Sequence, residues 1–327
     1  MNRICKILGI KYPIVQAPMT WITSAEMVAA VCNAGGMGTL GTNAGQSTVC
    51  TEPDVVYERM CEEIRKTRAL TDKPFALNYM LPVPGMEDDP SANMFSEAIL
   101  KSAVDEKVPV IVAVGAYSER ELKRLKELGK TVIFREETPS ADNAKRAEAL
   151  GVDIIVATGF DEGGGVPGRE IGTISIVPII ADAVNIPVMA AGGIVDNRGF
   201  KAALALDAEG VFCGTVFIAS EESFASQTAK QDIVDSESFD LVFYRALPYY
   251  WRATPHALAK NLKVDSDKAT SLPEMYRLMG GTSSLRISQL EGNLDEGINS
   301  TNTAISLIKA IRPCKDIIDD MVKGCEF

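Results

Sequence analysis

The stretch Ile186-Pro187-Val188-Met189-Ala190-Ala191-Gly192-Gly193-Ile194 decides the fold. It is an apolar run too short for a helix, it ends on two glycines, and a helical stretch, Arg198–Leu206, follows it. The next run, Gly210–Phe217, has the same character and contains Gly214-Thr215, so strand, helix and strand make a parallel βαβ unit. Toward the N-terminus the alternation recurs. Tyr12–Pro18, Met37–Thr42, Phe75–Leu81, Val108–Gly115, Thr131–Glu136 and Val152–Gly159 read as strands, with helices over Ser24–Ala34, Val55–Leu70, Glu119–Leu128, Ser140–Leu150 and Ile174–Val184. In Val55–Leu70, the residues Val56, Met60 and Ile64 form one apolar stripe. Several of these helices start after Ser, Thr or Asn and stop at Gly, as capping requires. Eight strand-helix units in roughly 220 residues exceed the about five to seven strands of an open doubly wound sheet. The fold class is therefore α/β, a (β/α)8 or TIM barrel.

After Phe217 the pattern changes. Glu221–Asp240 is polar, and Phe243, Tyr244, Tyr249, Tyr250 and Trp251 lie close together. Helices are expected at Leu272–Met279 and Thr303–Ile311. This reads as a smaller, mainly helical C-terminal region over the open end of the barrel. The aromatic cluster has three readings: the mouth of a substrate site, a homodimer contact, or the core of the small region.

Composition narrows the functions. The chain has 327 residues, with Asp+Glu 44 against Lys+Arg 33 and a net charge of −11. Such a surface repels phosphate backbones and anionic lipid, which argues against nucleic acid and membrane as partners. With His256 as the one histidine, multi-histidine metal sites are excluded, and most hydrolase triads would have to use it. The seven cysteines are scattered without a Cys-x-x-Cys spacing, so they read as reduced thiols and no metal is expected. The N-terminal MNRICKILGIKYP carries charges inside its short apolar stretch and reads as neither signal peptide nor anchor, and no later run reaches about 18 apolar residues. A cytoplasmic location is expected.

In a barrel, functional loops follow the C-terminal ends of the strands. Glycines at two neighbouring ends, Gly192-Gly193 and Gly214, let backbone N–H groups approach a phosphate, and the Thr215 hydroxyl adds a bond. Gln16-Ala17-Pro18-Met19 offers a fixed turn and an apolar residue beside a flat ring, and Asn78 offers an amide at the rim. The loop from Thr158 to Arg169 is rich in glycine. Its Gly163, Gly165 and Gly168 match a dinucleotide-binding pattern, but the next strand ends in Ala191-Gly192, not in an acidic ribose ligand. A second match, at Gly36, Gly38 and Gly41, runs from helix into strand, which is the wrong context.

These segments, in this order, resemble the FMN-dependent barrels of the nitronate monooxygenase (2-nitropropane dioxygenase) and enoyl-acyl-carrier-protein reductase II family. The resemblance rests on residues 12–19, Ala-Gly-Gly-Met-Gly at 34–38, Asn78, the glycines at 163–165, residues 186–194 and Cys-Gly-Thr-Val-Phe at 213–217. Ala-Leu-Ala-Lys-Asn-Leu at 257–262 and Met-Gly-Gly at 279–281 extend it. It implies FMN on the barrel, with Ala17, Pro18 and Met19 along the isoalloxazine, Asn78 bonding the flavin, and Gly164, Gly165 and Ala191 beside it. Gly192, Gly193, Gly214 and Thr215 would hold the phosphate. Ser140 matches a family serine near the cofactor and serves equally as a helix cap. Residues 1–222, completed by 300–327, would be the FMN-binding barrel, and 223–299 the substrate or lid region.

The sequence departs from the family at one telling place. The family loop reads Glu-Ala-Gly-Gly-His, and its histidine is the base or proton donor; here the loop reads Glu162-Gly163-Gly164-Gly165-Val166. The loop is also about two residues longer, and the turn Arg135-Glu136-Glu137-Thr138-Pro139 is unusually charged. Glu162, Asp161, Tyr79 and His256 are the candidates to carry the proton instead. Oxidation of an already ionised nitronate needs no base, whereas a neutral nitroalkane does. The expected activity is oxidation of alkyl nitronates with oxygen. The alternatives are an NAD(P)H-dependent enoyl-acyl-carrier-protein or quinone reductase, a flavin-free phosphate-binding barrel, and a non-catalytic flavin carrier.

Overall fold

The computed structural model describes residues 2–50, 52–86, 88–247, 249–281 and 283–327. In chain order its strands are β1 (Ile14–Gln16), β2 (Thr39–Leu40), β3 (Ala76–Met80), β4 (Val110–Gly115), β5 (Thr131–Glu136), β6 (Ile154–Thr158), β7 (Gly164–Val166), β8 (Val188–Ala191), β9 (Gly210–Cys213), β10 (Val242–Ala246) and β11 (Tyr249–Ala253). Eight of them form a parallel sheet in the order β1-β9-β8-β6-β5-β4-β3-β2, and a parallel bridge between Val15 and Met37 joins its ends into a barrel. These strands are near-continuous apolar runs because both faces are covered. Val110, Val112, Val114, Ile133, Ile154, Val156, Met189 and Phe212 fill the interior. Ile111, Ala113, Phe134 and Ile155 face the outer helices.

This alternation places the site. Side chains two residues apart share a face, so Asn78 follows Ala76, and Arg135 follows Ile133, to the open end of the interior. The opposite end is plugged by the helix Arg3–Leu8, whose Ile4 and Leu8 join the interior cluster.

Four features differ from the sequence expectation or were not foreseen by it. The helix Pro90–Asp105, which joins β3 to β4, was not foreseen. The aromatic stretch is an antiparallel hairpin, β10 with β11, and β11 also pairs with β7 from the glycine-rich loop. Around it the C-terminal region is otherwise helical, over Gln227–Asp235, Ala257–Asp265, Leu272–Leu278 and Ser283–Gln289. The helix expected at Thr303–Ile311 is only a 3-10 turn at Ile305–Leu307. Its backbone is committed elsewhere: Asn302 N–H donates to Thr215 Oγ1 at 3.1 Å, Thr303 N–H to Asp161 O at 3.0 Å and Ser306 N–H to Ser238 Oγ at 3.2 Å. Finally, the strand expected to run to Phe217 ends at Cys213, and a helical turn starts at Thr215. The last helix, Cys314–Met321, packs on the barrel helices Ala25–Asn33 and Asn197–Ala205. Among the described residues no helix is long and apolar enough to cross a membrane.

Candidate active site

A cavity of about 400 Å³ opens over the C-terminal ends of the barrel strands, within the range of roughly 300–1,000 Å³ usual for small-molecule sites. Its floor is the top layer of inward residues: Ala17, Asn78, Val114, Arg135, Ala191 and Phe212. Pro18 and Met19 continue one wall, and Gly192, Gly214 and Thr215 another. A Cβ at Gly214 would stand in the cavity, 3.6 Å from Met19 Sδ and 3.8 Å from Ala17 Cβ. Among the described residues no acceptor is bonded to the backbone N–H of Gly214 or Thr215, and the Thr215 hydroxyl, accepting from Asn302, keeps its own proton to donate. These free donors beside an apolar floor fit a phosphate with a flat ring attached.

The rest of the lining comes from the glycine-rich loop and the C-terminal region. Glu162, Gly163, Gly164, Gly165 and Val166 face Tyr249, Trp251, Ser300 and Asn302, with Leu285 and Gln289 beyond. Buried Gln289 leaves Oε1 without a partner, an acceptor open to a ligand. The hairpin alternates: Tyr249 and Trp251 line the cavity, whereas Tyr250 stacks on Phe243 with centroids 4.9 Å apart, and Phe160 meets Phe243 edge-on at 5.3 Å. Trp251 is fixed by its Nε1–H, which donates to Ser300 Oγ at 3.1 Å. Arg252, lying over the Phe160 and Phe243 rings, donates to the carbonyls of Phe160 and Glu162 and so clamps the loop.

The sequence candidates separate clearly. Glu162 lies in the cavity, where both carboxylate oxygens accept from Arg135 Nη2, at 2.6 and 2.5 Å. Asp161 is turned away: its carboxylate caps Thr173 N–H at 2.7 Å, and Thr303 Oγ1 is 3.4 Å from it. His256 lies outside the lining, with Nε2 at 2.7 Å from Asp232 Oδ1. Tyr79 points to the outer layer, where its hydroxyl meets Glu121 at 3.0 Å and Glu97 at 3.2 Å. Ser140 caps the helix Ala141–Ala149 by accepting from Asn143 N–H and is not in the lining. Gly193, with φ +70°, shapes the turn against Asp161 and is also outside it. Val166, which follows the three glycines of the loop, lines the cavity. Arg135, Ser300, Asn302 and Gln289 were not foreseen as site residues; only the unusual charge at 135–137 gave a signal.

Burial pushes the Glu162 carboxyl up to about 7, Arg135 pulls against that rise, and Glu137 adds to it. Between its ordinary 4.5 and about 7 the folded chain holds a proton that the unfolded chain has released. The resulting stability is full below about 4.5 and lost as pH rises through 7. Urea unfolding is therefore expected to give a free energy lower at pH 8 than at pH 5, by up to about 3 kcal/mol. Glu162→Gln should remove most of that slope. A variant with the parental slope would show that Glu162 does not titrate in this range.

The barrel and its rim cavity define a (β/α)8 barrel with a small-molecule site at the C-terminal ends of its strands. Residues 1–324 match the family model "Nitronate monooxygenase", and the chain belongs to that family. A probable nitronate monooxygenase of Staphylococcus saprophyticus is 36% identical over 276 residues, 74% of each chain, and one of Staphylococcus aureus is 35% identical over 279 residues, 75% of each. The structure of FabK from Thermotoga maritima superposes with a TM-score of 0.85 at 32% identity, over 99% of this chain and 95% of that one. Nitroalkane oxidase from Streptomyces ansochromogenes shares the fold, with a TM-score of 0.79 at 23% identity over 98% and 97% of the chains.

Proposed function

We propose that the chain is an FMN-dependent oxidoreductase that oxidises alkyl nitronates presented already ionised. The observation that carries this reading is the cavity itself: it has a ring-sized apolar floor and a glycine cup with free donors, but no histidine among its lining residues. Gly192, Gly214 and Thr215 would hold the phosphate. Ala17, Pro18, Met19 and Ala191 would lie along the ring, with Gly164 and Gly165 beside it. Asn78 donates through Nδ2 to Val112 O at 3.1 Å, which leaves Oδ1 to accept from the flavin. Bound there, FMN supplies two-electron redox chemistry, and the protein supplies position and surroundings. Glu162 is a carboxyl of the cavity that burial pushes up to about 7 and that Arg135 anchors. Tyr249 and Trp251 wall the substrate side, so residues 223–299 act as the lid of a barrel made by 1–222 and 300–327.

A nicotinamide-driven reductase remains the second reading, supported by the FabK likeness over the whole chain. An anaerobic visible spectrum followed by separate titrations with NADH, NADPH and a small alkyl nitronate separates the two. Bleaching of bound FMN by the nitronate is the expected result. Bleaching by a nicotinamide alone would make the chain a reductase, and a protein that binds no FMN would sink both.

A further inference from the structure

Arg135 brings a guanidinium into the cavity. It sits in the barrel's inward register above Ile133, its side chain is 13% exposed, and it lines the space faced by Tyr249 and Trp251. Its bonds are lopsided. Nη2 alone serves both oxygens of Glu162, while Nε and Nη1 have no hydrogen-bond partner among the described residues. Nη2 belongs to both two-pronged edges of a guanidinium, because Cδ separates Nε from Nη1, so with Glu162 on that corner each free nitrogen is a single charge-assisted donor for one oxygen of an anion.

We propose that Arg135 is the substrate-binding residue of the cavity, donating from Nη1 to one oxygen of the planar anion of a nitronate, or of an isosteric carboxylate, while Glu162 anchors Nη2. The proposal deepens the nitronate reading and rests on it for the identity of the substrate. It accounts for a site that works without the family histidine: the site selects the ionised form by charge and need not make it. It also sets a competition. Glu162 and the ligand are anions sharing one cation, with Glu137 alongside as a further negative charge. The groups facing Glu162 are Arg135 and Glu137 from the end of β5, and Arg252 from β11, whose Nη1 bonds the Glu162 carbonyl and whose charge acts on the carboxylate; Tyr249 stands beside Arg135. A protonated Glu162 frees Arg135 for the ligand, so binding should strengthen as pH falls from 8 to 6.

The test is binding of butyrate, a redox-inert carboxylate, to the purified full chain by calorimetry, with Trp251 fluorescence as a second readout. Binding about 10- to 100-fold weaker is expected in Arg135→Gln, the loss that one charge-assisted contact implies. Arg135→Gln leaves Glu162 buried without its cation, so the double variant Arg135→Gln/Glu162→Gln, which buries no charge there, is measured beside it and should bind equally weakly. Glu162→Gln alone should bind butyrate with the same strength at pH 6 and pH 8. In the nitronate assay Arg135→Gln should raise KM by a similar factor, with a smaller change in kcat. Undiminished butyrate binding in the double variant, or no butyrate binding to the parent at pH 6, would overturn the assignment. The calorimetry needs no flavin, so failure of the FMN reading shows separately, as a colourless protein that still binds butyrate through Arg135.

Discussion

Replacing Gly163 with alanine is expected to cost about 1–3 kcal/mol of stability and to weaken FMN binding by more than ten-fold. A Cβ on Gly163 would stand 2.2 Å from the carbonyl carbon of Thr301, 2.5 Å from its oxygen and 2.6 Å from Asn302 N. The obstacle is backbone, and that backbone is held on several sides. Thr301 N–H donates to Arg252 O at 3.4 Å, Asn302 N–H to Thr215 Oγ1 at 3.1 Å and Thr303 N–H to Asp161 O at 3.0 Å. Relief requires moving either the loop that carries Glu162 or the segment that carries Ser300 and Asn302, and both line the cavity. Gly165 is the internal control, because a Cβ there meets only Trp251, at 3.6 Å, an ordinary contact. Gly165→Ala should fold with the parental stability. Urea unfolding and an FMN titration on both variants decide the matter; equal behaviour of the two would show that the crossing at Thr301 is not a constraint.

How far the sequence reveals this molecule depends on the range of the interactions involved. The barrel strands are legible because each is an apolar run covered on both faces, a property of the residues themselves. The cup at Gly192 and Gly214 is legible for the same reason, since it needs only glycines at adjacent strand ends. The hairpin β10–β11 is hidden: Phe243-Tyr244 and Tyr249-Tyr250-Trp251 are apolar at successive positions, so no period of two stands out, and the stretch lacks a glycine turn. Only the structure separates Tyr249 and Trp251, toward the cavity, from Tyr250, against Phe243. The run Asn299-Ser300-Thr301-Asn302 reads as a solvent turn, yet Asn299, Thr301 and Asn302 are buried and bonded to groups far away in the chain. The pairing of Arg135 with Glu162 spans 27 residues and depends on β5 lying beside β6. Charge at residues 135–137 was visible in the sequence; its partner was not.

Returning a histidine to the site is expected to change what the enzyme accepts. Val166 is 1% exposed, lines the cavity and sits on β7, where backbone pairing with Tyr250 in β11 fixes its Cα. Val166→His puts an imidazole into the cavity beside the loop glycines, where the resemblance implies a histidine base. The larger ring in a packed position should cost about 1–3 kcal/mol of stability. Its chemical return is larger: a positioned general base near neutral pH is worth about 10² to 10⁴ in rate. That gain should appear with neutral nitroalkanes, whose α-proton must be removed, and not with pre-formed nitronates, which have already lost it. The gain should grow with pH up to about 6.5–7 and then level, as an imidazole deprotonates. Val166→Gln, similar in bulk and polar but unable to titrate there, separates basicity from simple rearrangement of the cavity. If Val166→Gln accelerates neutral nitroalkanes as much, the effect is one of shape. If Val166→His keeps FMN and nitronate turnover but gains nothing on the neutral substrate, then Val166 is not what restricts the site to ionised substrates, and that restriction must lie with Arg135 and Glu162.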